Sequence, residues 1–283
     1  MTNASTFWTA PDEASPPEPS ARTTRLAALR QLLAQAEHAT RSAGPGPGPG
    51  RESAVLPLDL PALRDHLPGH GLARGCLHEM TAASTADTAA AFGFVAALTG
   101  AALAARPGPA VLVVARRGLA GHGIPYGHGL RRLGVDVSRL IVVDVRNETD
   151  ALQALEESLR AEAGLAAVAG VLGRSPDLTA SRRLSLAAAA SGAPLLLLRP
   201  AQVAGASAAA TRWRIAALPA GRDAHGTFAR WRWAVTLERC RNGRPGHWTF
   251  EWDHAAHRLR AAAVLADRAL PARPGQAAVR RAR

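Results

Sequence analysis

Hydrophobic positions change period along this chain. Leu26, Leu29, Leu32 and Leu33 recur at helical spacing, which predicts an amphipathic helix over residues 23–40. From about Val55 short apolar runs alternate with helical ones. Cys76–Met80, Ala110–Ala115, Leu140–Val145, Leu165–Leu172 and Leu195–Arg199 read as strands, and the purely apolar runs among them as strands covered on both faces. Between them Asp87–Ala105 is an alanine-rich helix, stopped by Arg106-Pro107-Gly108-Pro109. A second helix is expected from Ala151 to about Ala163, capped by Asp150 with Gln153 reaching back, and a third over Thr179–Ser191 with Gly192 at its end. Strands separated by helices predict an α/β fold with a mostly parallel sheet. The period then drops to two. Trp231, Trp233, Val235 and Leu237 share a face, as do Trp248, Phe250 and Trp252 after the turn at 242–246, which predicts an antiparallel hairpin.

Composition divides the rest. Residues 1–22 are rich in Pro, Ser and Glu and predict disorder; 41–53, around SAGPGPGPG, is a Gly/Pro linker. Residues 54–260 form the folded domain, and 261–283 a basic flexible tail. Arg and Lys total 34 against 22 acidic residues, a net charge of +12, and every one of the 34 is arginine. No chemistry that needs a lysine amine is available, and the charge favours polyanions or acidic protein surfaces as partners. Cys76 and Cys240 are too few for a disulfide framework. The start of the chain lacks the basic residues and apolar stretch of a signal peptide, and the run 88–105 is weakly apolar for a bilayer. A cytoplasmic location without a membrane partner is the expectation.

Candidate chemistry is sparse. His66/His70 and His254/His257 have helical spacings, but neither pair has an evident third ligand, and Pro68 interrupts the first. The Gly-His-Gly repeats at 121–123 and 127–129 read as a flexible loop, and no Gly-x-Ser-x-Gly elbow is present. The strand–loop–helix at 76–105 is where a nucleotide-binding α/β protein places its phosphate loop. Such a loop needs glycines to wrap phosphates, a lysine to reach them and a hydroxyl for magnesium. Here Thr81–Thr88 reads TAASTADT, with neither glycine nor lysine, and the Asp87 carboxylate would repel an entering phosphate.

Gly71-Leu72-Ala73-Arg74-Gly75 running into Cys76–Met80 resembles the approach to the phosphate loop of RecA recombinases. Tyr126…Leu130-Arg131-Arg132-Leu133-Gly134-Val135-Asp136, the helix around Asp150–Glu156 and Arg239-Cys240-Arg241-Asn242 resemble later segments of that family, together covering about residues 55–253. Within the superfamily, LTASRRLSLAAAASGAPLLLLRP, ASAAATRWRIAALP and LERCRNGRPGHWTFEW are similar to the ImuA family, also labelled SulA-like, of bacterial damage-inducible mutagenesis cassettes. The resemblance implies a RecA-like three-layer α/β sandwich. It also implies departures: the loop's two glycines fall on Ala82 and Asp87, its lysine on Thr88 and its magnesium hydroxyl on Ala89. The catalytic glutamate falls near Arg116 or Arg117, the metal-binding aspartate near Gly170, and the DNA-gripping loop shrinks to Pro200–Ala206. With phosphate clamp, metal ligand and base all absent, no catalysis and no cofactor are expected.

What the resemblance implies instead is an adaptor in SOS-induced translesion synthesis. Its expected partners are ImuB, a Y-family polymerase homologue without catalysis, and through it the error-prone replicative-type polymerase. RecA itself is a further expected partner, with DNA reached indirectly. Arg230, Arg232, Arg239, Arg241 and Arg244 on the hairpin, and Leu29, Leu32 and Leu33 on the N-terminal helix, are the candidate partner-binding residues. That helix, on its linker, is read as a mimic of the arm that RecA protomers exchange. Two rival classes stand beside this reading: a DNA-dependent RecA-like ATPase, and a SulA-like division inhibitor acting on FtsZ.

Overall fold

The computed structural model describes residues 21–42, 54–161, 164–201, 205–222 and 228–262. The expected disordered start, linker and basic tail lie almost wholly outside these. Helix α1 spans Ala21–Ser42; β1 (Val55–Pro57) and β2 (Gly71–Ala73) follow, then β3 (Leu77–Ala82), α2 (Thr88–Ala105) and β4 (Ala110–Ala115). Next come α3 (Gly127–Arg132), β5 (Leu140–Val145), α4 (Glu148–Arg160), β6 (Ala167–Val171), α5 (Leu178–Ser191) and β7 (Leu195–Arg199). The chain closes with β8 (Thr211–Arg222), β9 (Phe228–Cys240), β10 (Gly246–Asp253) and β11 (Arg258–Ala261).

Nine strands form one sheet in the order β11-β10-β9-β8-β3-β7-β6-β4-β5. From β8 to β5 neighbours run parallel, and from β8 outward to β11 they run antiparallel. Strand β8 is therefore the switch between the two regimes. The sequence reading did not single it out, although its buried Trp213 and Ile215 alternate with Arg212 and Arg214 as in a half-buried strand.

The doubly apolar strands are buried as their composition requires. In β4, Leu112 and Val114 face a core built with Phe94, Val95 and Leu98 of α2, whereas Val111 and Val113 face Leu155 and Leu159 of α4. Leu196/Leu198 and Leu195/Leu197 of β7 divide the same way. Helix, sheet and helix make three layers, the RecA-like sandwich expected. By length and composition α2 could cross a bilayer, contrary to the expectation from its alanine content. In the fold it is a core helix, with Phe94, Val95 and Leu98 buried against the sheet.

Three local expectations are corrected. β5, read as a buried strand, is the sheet edge: Val142 is 50% exposed because only one neighbour and one helical layer reach it. Helix α4 starts earlier than Ala151, at Glu148. Its cap is Asn147, whose side-chain oxygen accepts the Asp150 N–H at 2.9 Å, so Asp150 lies inside the first turn. The shared face of β9 is buried at Trp233, Val235 and Leu237, while Trp231 at its end is 38% exposed. Helix α5 ends at Gly192, whose φ of 71° lets its N–H return to the Ala188 carbonyl.

The N-terminal helix is not a free arm. Leu29 and Leu33 are buried in the same cluster as Leu155 and Leu159, and Arg30 pairs with Glu157 at 2.5 Å. Of the three leucines read as partner-binding, only Leu32 is left exposed, at 47%.

Candidate functional site

The carboxyl ends of β3, β4, β6 and β7 converge on a crevice of about 130 Å³, where a parallel α/β sheet ordinarily receives its ligand. Thr85 and Thr88 line it from the loop after β3, Arg117 from the turn after β4, Gly173 from beyond β6 and Arg199 from the end of β7.

The loop after β3 is tied down by its own groups. Ala82 ends the strand, fully buried, and the Ala83 N–H donates to the Ile215 carbonyl of β8 at 2.7 Å. Ser84 Oγ donates to Asp87 Oδ2 at 2.6 Å, and Asp87 Oδ1 accepts the Ala217 N–H at 2.8 Å. Burial works to raise the Asp87 carboxyl, but the bonds from Ser84 and Ala217 outweigh it and hold the group below its usual range. Thr88 Oγ1 donates to the Thr85 carbonyl at 2.8 Å, and Ala89, one residue on, is exposed. The four positions singled out by the resemblance thus hold a strand end, an anionic brace, a hydroxyl engaged with the loop and a methyl.

The neighbouring positions are committed elsewhere. Arg116 pairs with Asp144 of β5 at 2.8 Å. Gly170 sits inside β6, where a Cβ would lie 2.8 Å from Leu197 Cδ1 and 3.0 Å from both Leu155 methyls, so a larger residue here requires those leucine ends to shift. At Gly173 a Cβ would come 2.5 Å from Arg117 Cβ, and the N–H there donates to Glu148 Oε1 at 2.9 Å. Burial raises the Glu148 carboxyl above its usual value, against the opposing pull of the Gly173 and Arg174 N–H groups and the Arg174 and Arg117 guanidinium groups.

Beneath the crevice lies a polar cluster that the sequence reading missed. Glu79 on β3 is fully buried, ion-paired with buried Arg199 and, at 3.3 Å, with Arg212 of β8. Ser207 Oγ donates to its other oxygen at 2.7 Å, and Ser175 Oγ accepts from Arg199 Nε at 3.0 Å. A signal was present at Arg199, the one charge in the otherwise apolar run LLLLR, where an unpaired one would be prohibitive. Next to it His78 is buried, its Nδ1 2.7 Å from Thr211 Oγ1 and its Nε2 2.8 Å from the Ala73 carbonyl. A carbonyl only accepts, so Nε2 carries the proton and the Thr211 hydroxyl donates to Nδ1. Burial pushes the ring down to about 4, more than the Ala73 bond pulls it up.

The hairpin arginines form no single patch. Arg230 and Arg232 both pair with Glu251 of β10, at 3.3 and 3.0 Å. Arg239 reaches the Ser207 carbonyl at 3.3 Å and Arg241 that of Ala208 at 3.4 Å, so these two hold the connection into β8. Arg244 is exposed in the turn, where its backbone N–H donates to the His66 carbonyl at 3.1 Å. Among the described residues no group of three or more His, Cys, Asp and Glu is arranged to hold a metal ion.

Fold and crevice together define a RecA-like α/β sandwich whose loop after β3 holds a carboxylate brace. No family model matches the chain. Over 230 residues it is 39% identical to Protein ImuA of Caulobacter vibrioides, in each of two strains, a match covering 75% of this chain and 91% of that protein. The chain belongs to the ImuA family.

Proposed function

We propose that this chain acts in damage-inducible mutagenesis as a non-catalytic adaptor in the cytoplasm. It would bind an ImuB-type Y-family polymerase homologue, and through it the error-prone replicative-type polymerase, with RecA as a further partner. The observation that carries the non-catalytic part is the Asp87 brace. Its carboxylate is spent on the Ala217 N–H and the Ser84 hydroxyl within the loop whose Thr85 and Thr88 line the crevice, where a nucleotide would bring its own negative charge. Arg116, engaged with Asp144, and Gly170, walled by leucines, support the same reading at the positions of base and metal ligand. The partner assignment rests on family membership, and its surface candidates are Leu32 and the exposed arginines of the hairpin, Arg230, Arg239, Arg241 and Arg244.

Two measurements test it. ATP turnover by the purified chain, with and without single-stranded DNA, is expected to stay at background; DNA-stimulated hydrolysis would end the non-catalytic reading. Co-purification from damaged cells is expected to recover the polymerase homologue. Its absence from the recovered material, with filamentation on overproduction in undamaged cells, would favour a division inhibitor instead.

A further inference from the structure

On the α2 side of the sheet, away from the polar crevice floor, runs an apolar groove of about 400 Å³. Its walls are the first turns of α2 at Ala89 and Gly93, the loop at Ile124–Tyr126, and the β8–β9 face at Trp231 and Trp233. Ile124 is 89% exposed, Tyr126 69% and Trp231 38%, so three of the six large apolar side chains exposed among the described residues meet here. That concentration is unlike scattered surface apolarity and marks a surface that expects a cover. The lining includes His122 and Arg232, whose guanidinium is already paired with Glu251, and α3 exposes Arg131 and Arg132 beside it. A ligand suited to this site brings large apolar groups and negative charge together.

We propose that the occupant is this chain's own N-terminal segment, with Phe7 and Trp8 seated in the groove and Asp12 and Glu13 against its arginine rim. The choice follows from comparing the segments outside the described residues. Residues 1–20 hold Phe7 and Trp8, carry Asp12, Glu13 and Glu18, and contain no arginine. The segment 43–53 has no aromatic side chain, and 263–283 has none either and carries five arginines against Asp267. Size agrees: two aromatic side chains suit a pocket in the usual range for small ligands, and ring-on-ring contact with Trp231 adds to plain burial. Reach agrees too. The stretch from Trp8 to Ala21 includes Pro11, Pro16, Pro17 and Pro19. Extended at about 3.1 Å per residue it covers roughly 40 Å, the span it has for passing from the α4 layer, where α1 docks, round to the α2 layer that carries the groove. Tethering supplies an effective concentration of the order of millimolar, so a weak intrinsic affinity suffices for occupancy within one chain.

The inference does not depend on the adaptor reading, since it is tested on the isolated full-length chain. The probe is a labelled synthetic peptide of residues 1–20, followed by fluorescence anisotropy. The double variant Phe7→Ser/Trp8→Ser, whose groove is vacated, is expected to bind the peptide at least tenfold more tightly than the unaltered chain. Adding Ile124→Asp, at a side chain exposed enough to spare the fold, is expected to abolish that binding, and Trp231→Ala to weaken it about tenfold. Raising salt is expected to weaken it several-fold. No binding to the double variant, equal binding by both chains, or indifference to both groove substitutions would overturn the proposal. Concentration-dependent dimerisation that disappears in the double variant would overturn it as well, by assigning the segment to a second copy.

Discussion

Asp87 and Ala217, 130 residues apart, are joined by a carboxylate-to-amide hydrogen bond of 2.8 Å. It links the start of α2 to β8. The same carboxylate accepts from Ser84, so the loop after β3, the helix that follows and the switch strand share one brace.

Replacing Asp87 by Ala leaves the Ala217 N–H and the Ser84 hydroxyl without their acceptor. The expected loss is about 1–2 kcal/mol, read from urea unfolding midpoints. The group is held below its usual range, so its stabilisation is present above the unfolded carboxyl value. That contribution fades as pH falls through the lower folded value, and the alanine variant should lack this acid-side loss.

The Glu79–Arg199 pair is buried on both sides. Removing Glu79 strands Arg199 in the core, and Glu79→Ala is expected to destabilise by about 3–5 kcal/mol, whereas Arg199→Ala leaves Glu79 with Arg212 and Ser207 and is expected to cost less. Replacing both with apolar residues of similar size should cost less than the two single changes summed. A double-mutant cycle by chemical denaturation checks this, and strict additivity would contradict the pairing.

His78 makes stability fall on acidification. It is buried neutral with its value pushed to about 4, so below its unfolded value near 6.5 the unfolded chain takes up a proton that the folded one does not. Stability is expected to rise with pH between about 4 and 6.5, by up to roughly 3 kcal/mol. His78→Gln should flatten that slope in a series of denaturation curves measured across the window.

Docking of α1 is separable from the rest of the fold. Leu29→Asp with Leu33→Asp places two charges where the helix meets Leu155 and Leu159, and should release residues 21–42. Amide exchange in that stretch is expected to rise at least a hundredfold, with strands β3, β4 and β7 keeping their protection. Global loss of protection would show instead that α1 belongs to the core.

Much of this architecture was legible because burial on both faces leaves a trace in composition. The runs at 110–115 and 195–199 could only be interior strands, and period-two aromatics at 231–237 and 248–252 could only be a half-buried hairpin. The composition of the loop after β3 was legible for a simpler reason: glycine and lysine are either present or not. Less was visible where neighbours decide. LIVVDV is as apolar as a central strand, yet β5 lies at the edge because the crossover places it outside β4. The capping role of Asn147 over Asp150 depends on where the chain leaves β5, a matter of backbone direction.

Residue content by itself determined the kind of sandwich, its interior strands and the absence of glycine and lysine from the loop after β3, since these follow from local periodicity and from which side chains exist. Tertiary structure alone decided that Glu79 meets Arg199, that Asp87 braces β8, that α1 lies on α4, and that Ile124, Tyr126 and Trp231 converge on one groove. Each of these joins residues far apart in the chain. Such meetings depend on strand register and layer packing, which no local pattern encodes.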